Sequence, residues 1–222
     1  MAKKLLLVLG IIFFSCFETS SHTDPLPGLT VDPQGSYEEL GLSDIVGFKA
    51  FEQAITGYKK IHCSNKEIIT VIDFSKPSCE ERLAVIDLLR KKILFTSHVS
   101  HGRNSGDEYA NTFSNKKGSY KSSLGFYITE QTYEGRNGYS LKLNGLEKGI
   151  NDNAKNRAIV VHGAAYANPE TIGSSGRLGR SLGCPALPLA SSEKIIDTIK
   201  DGSLLFIYAE SPYYLAHSSI LR

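Results

Sequence analysis

The chain has no tryptophan, although 11 tyrosines and 10 phenylalanines stand among its 222 residues. Aromatics of that kind suit a β-rich fold, where rings pack on pleated faces. Net charge is nearly absent too: 25 Lys and Arg oppose 23 Asp and Glu, a formal +2. So small a balance leaves no electrostatic footprint for nucleic acid, and no DNA- or RNA-binding motif occurs. Long apolar runs are missing beyond residues 5–14, so hydropathy offers no other membrane-crossing helix. Cysteine is scarce, with only Cys16, Cys63, Cys79 and Cys184. Strand 67–74 separates Cys63 from Cys79, and an extended stretch of that length reaches over ~20 Å, which argues against a bridge between them. His98 and His101 are three apart and point to opposite faces of a strand, which argues against a shared metal. The residues call for no cofactor and no metal.

What is present begins with Met1-Ala2-Lys3-Lys4, a basic segment, followed by the apolar residues 5–14. That is the pattern of a secretory signal, too short for a stable membrane anchor. Two cleavage readings stand open. Phe13-Phe14-Ser15-Cys16 fits a lipoprotein site with Cys16 as the lipidated residue, and ordinary cleavage near Ser21 is the other. Either way the chain is exported to the periplasm or cell envelope, and it meets a membrane only through a lipid on Cys16. A leader over 1–21 leaves about 200 residues, which suits one domain.

Residues 22–42 carry prolines and glycines and read as a flexible tether, although Ser36-Tyr37-Glu38-Glu39 matches a capping box. Residues 43–65 predict a helix: Ser43 suits its N-cap, and Ile45, Phe48, Phe51, Ile55 and Tyr58 fall on one face. Strands follow at 67–74, 82–89 and 92–99, close enough together for a β-meander. Residues 104–123 form a long polar loop with Lys116, Lys117 and Lys121, open to two readings, an anion-binding loop or a solvated one. Strands at 124–129 and 139–144 flank the hairpin signal Asn137-Gly138. A helix at 193–200 capped by Ser191 or Ser192, a strand at 203–208 and a peripheral tail over 211–222 complete the chain.

The organising stretch runs from Arg157 to Leu187. Ala158, Ile159, Val160 and Val161 form an apolar strand that delivers His162 and Gly163 at its end. Ser181-Leu182-Gly183-Cys184 follows after a glycine-rich loop. A thiol in an exported chain, set in a Gly-Cys turn, favours a chemical role, and a cysteine nucleophile needs a histidine base near it in space.

His162-Gly163 and Ser181-Leu182-Gly183-Cys184 resemble the signature of the L,D-transpeptidase catalytic domain, the YkuD-like fold. The phrases at 71–77, 101–106, 122–127, 138–143 and 176–181 resemble its murein L,D-transpeptidase branch, and together they span roughly residues 68–208. The resemblance implies a mainly β domain over 66–210, a curved sheet or sandwich with an N-terminal helix and one helix after Cys184. It implies a peptidoglycan transpeptidase acting on stem peptides. Cys184 would be the nucleophile, His162 its base in a thiolate–imidazolium pair, and the Gly163 carbonyl the group that fixes the imidazole. The backbone N–H groups of Gly183 and Cys184 would form the oxyanion hole. The family usually carries Arg two residues after the nucleophile, where this chain has Ala186. Arg180 or Arg177 would take over carboxylate binding, with Ser181 and His101 beside them. Hydrolysis of the same bond, or wall binding without catalysis, are the competing readings. The sequence leaves the oligomeric state undetermined.

Overall fold

The fold is described from a computed structural model, which covers residues 32–222. The leader reading and Cys16 lie outside the described residues. One eight-stranded sheet dominates: β1 (Asn65–Asp73), β2 (Leu83–Asp87), β3 (Lys92–Ser97), β4 (Gly125–Gly135), β5 (Gly138–Gly145), β6 (Val160–Gly163), β7 (Ala186–Leu187) and β8 (Ser203–Tyr208). Their spatial order is β3-β2-β1-β8-β4-β5-β6-β7. The expected meander is there, β2 pairing antiparallel with both β1 and β3. β8 then inserts between β1, with which it runs parallel, and β4. Ile69, Val71, Leu83, Val85, Leu204 and Phe206 are all buried along these central strands, as continuous β-branched and aromatic runs require of a sheet covered on both faces.

The sheet curls until its ends meet. The chain leaving β3 crosses to β7, where Ser100 bridges Ala186 and the Ser100 N–H donates to the Ala186 carbonyl at 2.8 Å. Closure of this kind removes an exposed strand edge. The result is the mainly β, nearly barrel-shaped fold that the sequence implies.

Helices pack around it: α1 (Pro33–Leu40), α2 (Phe48–Lys60), α3 (Ile172–Ser175), α4 (Leu189–Ile199) and α5 (Pro212–His217). α2 is the expected N-terminal helix, shorter than 43–65 because Leu42–Asp44 forms a separate 3-10 turn and Gly47 is its N-cap. α4 is the helix after Cys184, begun four residues early at Leu189. Two segments differ from expectation. Residues 33–40 are helical rather than tether, because the Asp32 side chain caps Gly35 N and Pro33 occupies the first turn, where its missing N–H is no loss. The tail is docked rather than peripheral. Ser211 caps α5, Tyr214 is 1% exposed, and its hydroxyl donates to buried Glu147 at 3.0 Å. Cys63 Sγ faces the Asn65 carbonyl and Cys79 Sγ the Glu108 carboxylate, with β1 running between the two cysteines. No helix of the described residues is long and apolar enough to cross a membrane.

Candidate active site

β6 positions the histidine. It pairs antiparallel with β5, His162 opposite Ser140, and parallel with β7, His162 opposite Ala186. Cys184 lies two residues before Ala186, so the histidine strand is paired with the segment that the cysteine turn enters. Gly163 has to be glycine, because a Cβ there would lie 2.5 Å from Ser192 Oγ and 3.2 Å from a Leu189 methyl of α4. α4 therefore seals the face that Gly163 presents, and His162, its neighbour in the strand, projects to the other.

The ring of His162 is buried, and its Nδ1 lies 2.9 Å from the Gly163 carbonyl. A carbonyl only accepts, so Nδ1 carries the proton and Nε2 is left as the basic nitrogen. Burial holds the imidazole below its ordinary pKa, against the Gly163 carbonyl, which raises it. The expected role of the Gly163 carbonyl as the orienting group matches this geometry.

The cysteine turn is built by short polar contacts. Ser181 Oγ accepts from Gly183 N–H at 3.0 Å and donates to the Cys184 carbonyl at 2.6 Å. Ser122 Oγ donates to the Gly183 carbonyl at 3.1 Å and accepts from Gly102 N–H at 3.0 Å. Ser181 N–H donates to the His101 carbonyl at 2.9 Å. Gly183 has φ +128°, and a Cβ there would meet the Lys121 carbonyl oxygen at 2.9 Å, so only glycine fits.

Cys184 Sγ is buried and directed to the Ala158 carbonyl, 3.6 Å away. Ala158 holds φ +53°, a left-handed backbone unusual for a residue with a side chain, in the turn that leads into β6. Burial pushes the Cys184 thiol up, while the Val160 backbone and the Arg157 charge pull it down, for a net rise. Burial thus acts against the charged form of both the thiol and the imidazole. Low dielectric penalises two charges, and the sulfur is turned to a carbonyl.

The other expected site residues lie in and around the cysteine turn. The Gly183 N–H is held by Ser181, so of the two expected oxyanion donors only the Cys184 N–H has no acceptor among the described residues. Ser181 is buried inside the turn. His101 is 1% exposed, its Nδ1 accepting from Arg82 Nη2 at 2.9 Å while its carbonyl holds the Ser181 N–H, so it lies beneath the turn. Arg177 and Arg180 share one carboxylate, Asp107, at 2.7 and 3.1 Å. That acid offsets one of their two charges, on the side of the nucleophile turn next to the Gly102–Asp107 segment.

Two side chains at the site carried no role in the sequence reading. Arg157 stands just before β6, and its guanidinium donates to the Ser114 carbonyl at 2.6 Å and to the Lys121 carbonyl. It pins the long loop against the Gly183–Cys184 turn and is the cation that acts on the thiol. Its signal was its place at the head of the organising stretch. Tyr166, which follows His-Gly-Ala-Ala, sets its ring edge-on to His162 at 6.5 Å, and burial and the neighbouring Cys184 hold its hydroxyl well above the usual phenol pKa. The loop over 104–123 is neither a free arm nor simply solvated: its carbonyls at 114 and 121 are the ligands of Arg157, while Lys116 and Lys117 remain exposed.

A family model described as "L,D-transpeptidase catalytic domain" matches residues 43–208. Among solved structures, an L,D-transpeptidase from Mycobacterium smegmatis aligns at 15% identity and TM-score 0.39, over 64% of this chain and 59% of that one. L,D-transpeptidase 3 from Mycobacterium tuberculosis aligns at 13% identity and TM-score 0.41, over 64% and 61%. A structure titled as LdtMt1 in complex with imipenem aligns at 14% identity and TM-score 0.39, over 64% and 59%. The alignments thus span about three fifths of each of those structures. A search of curated proteins found no match.

Proposed function

Because this chain belongs to the L,D-transpeptidase catalytic domain family, we propose that it is a cysteine acyltransferase that cross-links peptidoglycan stem peptides. Cys184 is the nucleophile and His162 the base. The single observation that carries the reading is the fixed tautomer of His162. Its Nδ1–H is tied to the Gly163 carbonyl, which leaves Nε2 unprotonated on a strand paired with the segment that Cys184 enters.

The steps follow from that geometry. A donor tetrapeptide brings its third-residue carbonyl to Cys184. The Sγ–H leaves the Ala158 carbonyl and passes its proton to His162 Nε2 as sulfur attacks. Negative charge on the carbonyl oxygen is met by the Cys184 N–H, and Pro185 offers no second donor. The C–N bond breaks, D-alanine departs with the proton from His162, and a thioester remains on Cys184. An amine of a second stem then replaces sulfur. Arg157 holds the loop and the turn in register through both steps and tempers the rise in thiol pKa. The reading also places the enzyme outside the cytoplasmic membrane, on the strength of the basic start and the apolar residues 5–14.

Incubation of the full chain with tetrapeptide muropeptides, followed by mass spectrometry, tests this. Expected are D-alanine, cross-linked dimers and an acyl adduct on the Cys184 peptide. Cys184→Ser should abolish nearly all turnover. If that variant released D-alanine at the wild-type rate, the assignment would be wrong. D-alanine release without dimers would reduce the enzyme to an L,D-carboxypeptidase.

A further inference from the structure

Arg82 stands at the entry to β2, and its side chain is the largest fully buried one among the described residues. Backbone bonds fix the residue from both sides: its N–H donates to the Ser97 carbonyl at 3.1 Å, and its carbonyl accepts from Asp73 N–H at 2.8 Å. Burying a guanidinium is costly unless its donors find acceptors. Here the donors bypass the carboxylate that acts on them. Asp73 raises the Arg82 pKa through its charge, but the Asp73 oxygens are taken by Gly47 N–H at 2.8 Å and Ser75 N–H at 2.9 Å. The guanidinium organises backbone instead. Nε and Nη2 donate to the Val99 carbonyl at 3.1 and 2.7 Å, Nη1 to the Lys76 carbonyl at 2.8 Å, and Nη2 also to His101 Nδ1 at 2.9 Å. The Phe74 ring completes the packing, its centre 4.8 Å from Arg82 Cζ and 5.9 Å from the His101 ring.

The segment that Arg82 holds is the support of the cysteine turn. Ser100 N–H donates to the Ala186 carbonyl at 2.8 Å, and Ser100 Oγ donates to the Gly179 carbonyl at 2.8 Å. The His101 carbonyl accepts from Ser181 N–H at 2.9 Å, and Arg103 N–H donates to the Ser181 carbonyl at 2.8 Å. These bonds grip the chain both before and after Cys184. Ala186 is at the same time the partner of His162 across β6 and β7. The chain around Cys184 is therefore held on one side by the segment over 99–103 and on the other by β6. A shift of Val99 or His101 is passed to both ends of the turn.

We propose that Arg82 is a positioning residue for acyl transfer: by fixing Val99 and His101 it sets where the Cys184 turn lies against the His162 strand. The inference rests on the transpeptidase reading given above. Arg82 acts through backbone, not on the reacting atoms. Its planar fork reaches three acceptors at separate points, the Lys76 and Val99 carbonyls and His101 Nδ1. A lysine ammonium carries its donors at one point and does not reproduce that geometry. Arg82 also dictates the tautomer of His101. A guanidinium only donates, so Nδ1 accepts and the ring proton sits on Nε2, the reverse of His162.

Arg82→Lys keeps the charge and loses the fork. In the full chain, D-alanine release from a tetrapeptide muropeptide is measured per folded molecule, below the onset of unfolding in scanning calorimetry. kcat should fall by about 10–100-fold, the scale on which small misplacements act, while KM stays within about twofold. A role confined to stability would lower the Tm and leave kcat per folded molecule unchanged, and that result would overturn the proposal. Ser100→Ala removes a single oxygen from the same support and serves where Arg82→Lys does not fold. It should lower kcat by about threefold or more at constant KM, and a wild-type kcat would overturn the proposal. Nitrogen NMR of the histidine side chains in the wild type should show His101 protonated at Nε2. A His101 protonated at Nδ1 would mean that Arg82 does not hold it, and the proposal would fall. If the wild type released no D-alanine at all, the transpeptidase reading itself would fail, and this inference with it.

Discussion

The burial that raises the Cys184 thiol and lowers the His162 imidazole has a measurable signature in the reactivity of Cys184. An ordinary thiol, with a pKa of ~8.5, is about 3% thiolate at pH 7. Burial raises Cys184, so its thiolate fraction at pH 7 lies below that of an ordinary thiol. A site holding a thiolate–imidazolium pair would instead be almost fully ionised, a difference of about 30-fold or more in thiolate at that pH. Alkylation by iodoacetamide reads this directly. In a Cys63→Ser/Cys79→Ser background, the Cys184 peptide is quantified by mass spectrometry at each pH from 5 to 10. The rate should be lower than that of glutathione at pH 7 and should climb about tenfold per pH unit to beyond pH 8.5. His162→Ala should leave that profile within about twofold, since the resting imidazole does not hold the sulfur as an anion. The same substitution should slow acyl transfer by about two to four orders of magnitude, because the base is then missing when substrate arrives. Fast alkylation, flat between pH 5 and 8 and abolished in His162→Ala, would refute the argument. It would mean that the pair is ionised before substrate binds.

Other consequences concern the frame around the site. Gly183→Ala places a Cβ within 2.9 Å of the Lys121 carbonyl and 3.2 Å of the Arg157 guanidinium, two groups already bonded to each other. Strain and overpacking should together cost about 2–4 kcal/mol and lower the Tm in scanning calorimetry by roughly 4–16 °C. His101 is pushed down to about 4 by its burial and by Arg82, whereas in the unfolded chain it takes a proton near its ordinary 6.5. The unfolded state therefore binds more protons between those values, and acidification from pH 6.5 to 4 should drain about 3 kcal/mol, visible as a falling denaturant midpoint that His101→Gln flattens. Tyr214→Phe removes one hydrogen bond to the buried Glu147 carboxylate and should cost about 1.5–3 kcal/mol, while truncation after Glu210 should cost more, since the Ser218 hydroxyl is lost with it. A truncated chain melting with the wild type would contradict the docked tail.

Much of this architecture was legible in the residues, and its gaps have common causes. The long strands announced themselves through Ile, Val and Leu runs, and His162 at a strand end gave the site its position. α1 and α5 were hidden for one reason. Each begins with a capping side chain followed by proline, Asp32-Pro33 and Ser211-Pro212, and proline at a first turn looks like a breaker when only composition is weighed. β7 is two residues long and lies between Pro185 and Pro188, too short for any periodicity to mark. Arg177 and Arg180 are near Cys184 along the chain, but Asp107 engages both. Arg157 is distant along the chain, and only the pairing of β6 with β7 brings it to the cysteine turn. The engagement of the Gly183 N–H by Ser181 depends on a side-chain rotamer, which residue identity alone does not reveal.

The insertion of β8 between β1 and β4 bears on when the reactive centre comes into being. Translation delivers β1 through β7 first, yet the central sheet lacks its middle member until residues 203–208 emerge. Such far-separated parallel pairing is slow, because loop closure precedes any gain from contact. A nascent chain stalled after Leu187 already contains both Cys184 and His162, but neither is framed by a finished sheet. Completion of the frame around Cys184 and His162 is thus timed by the last strand, and burial of the thiol becomes a readout of completed folding.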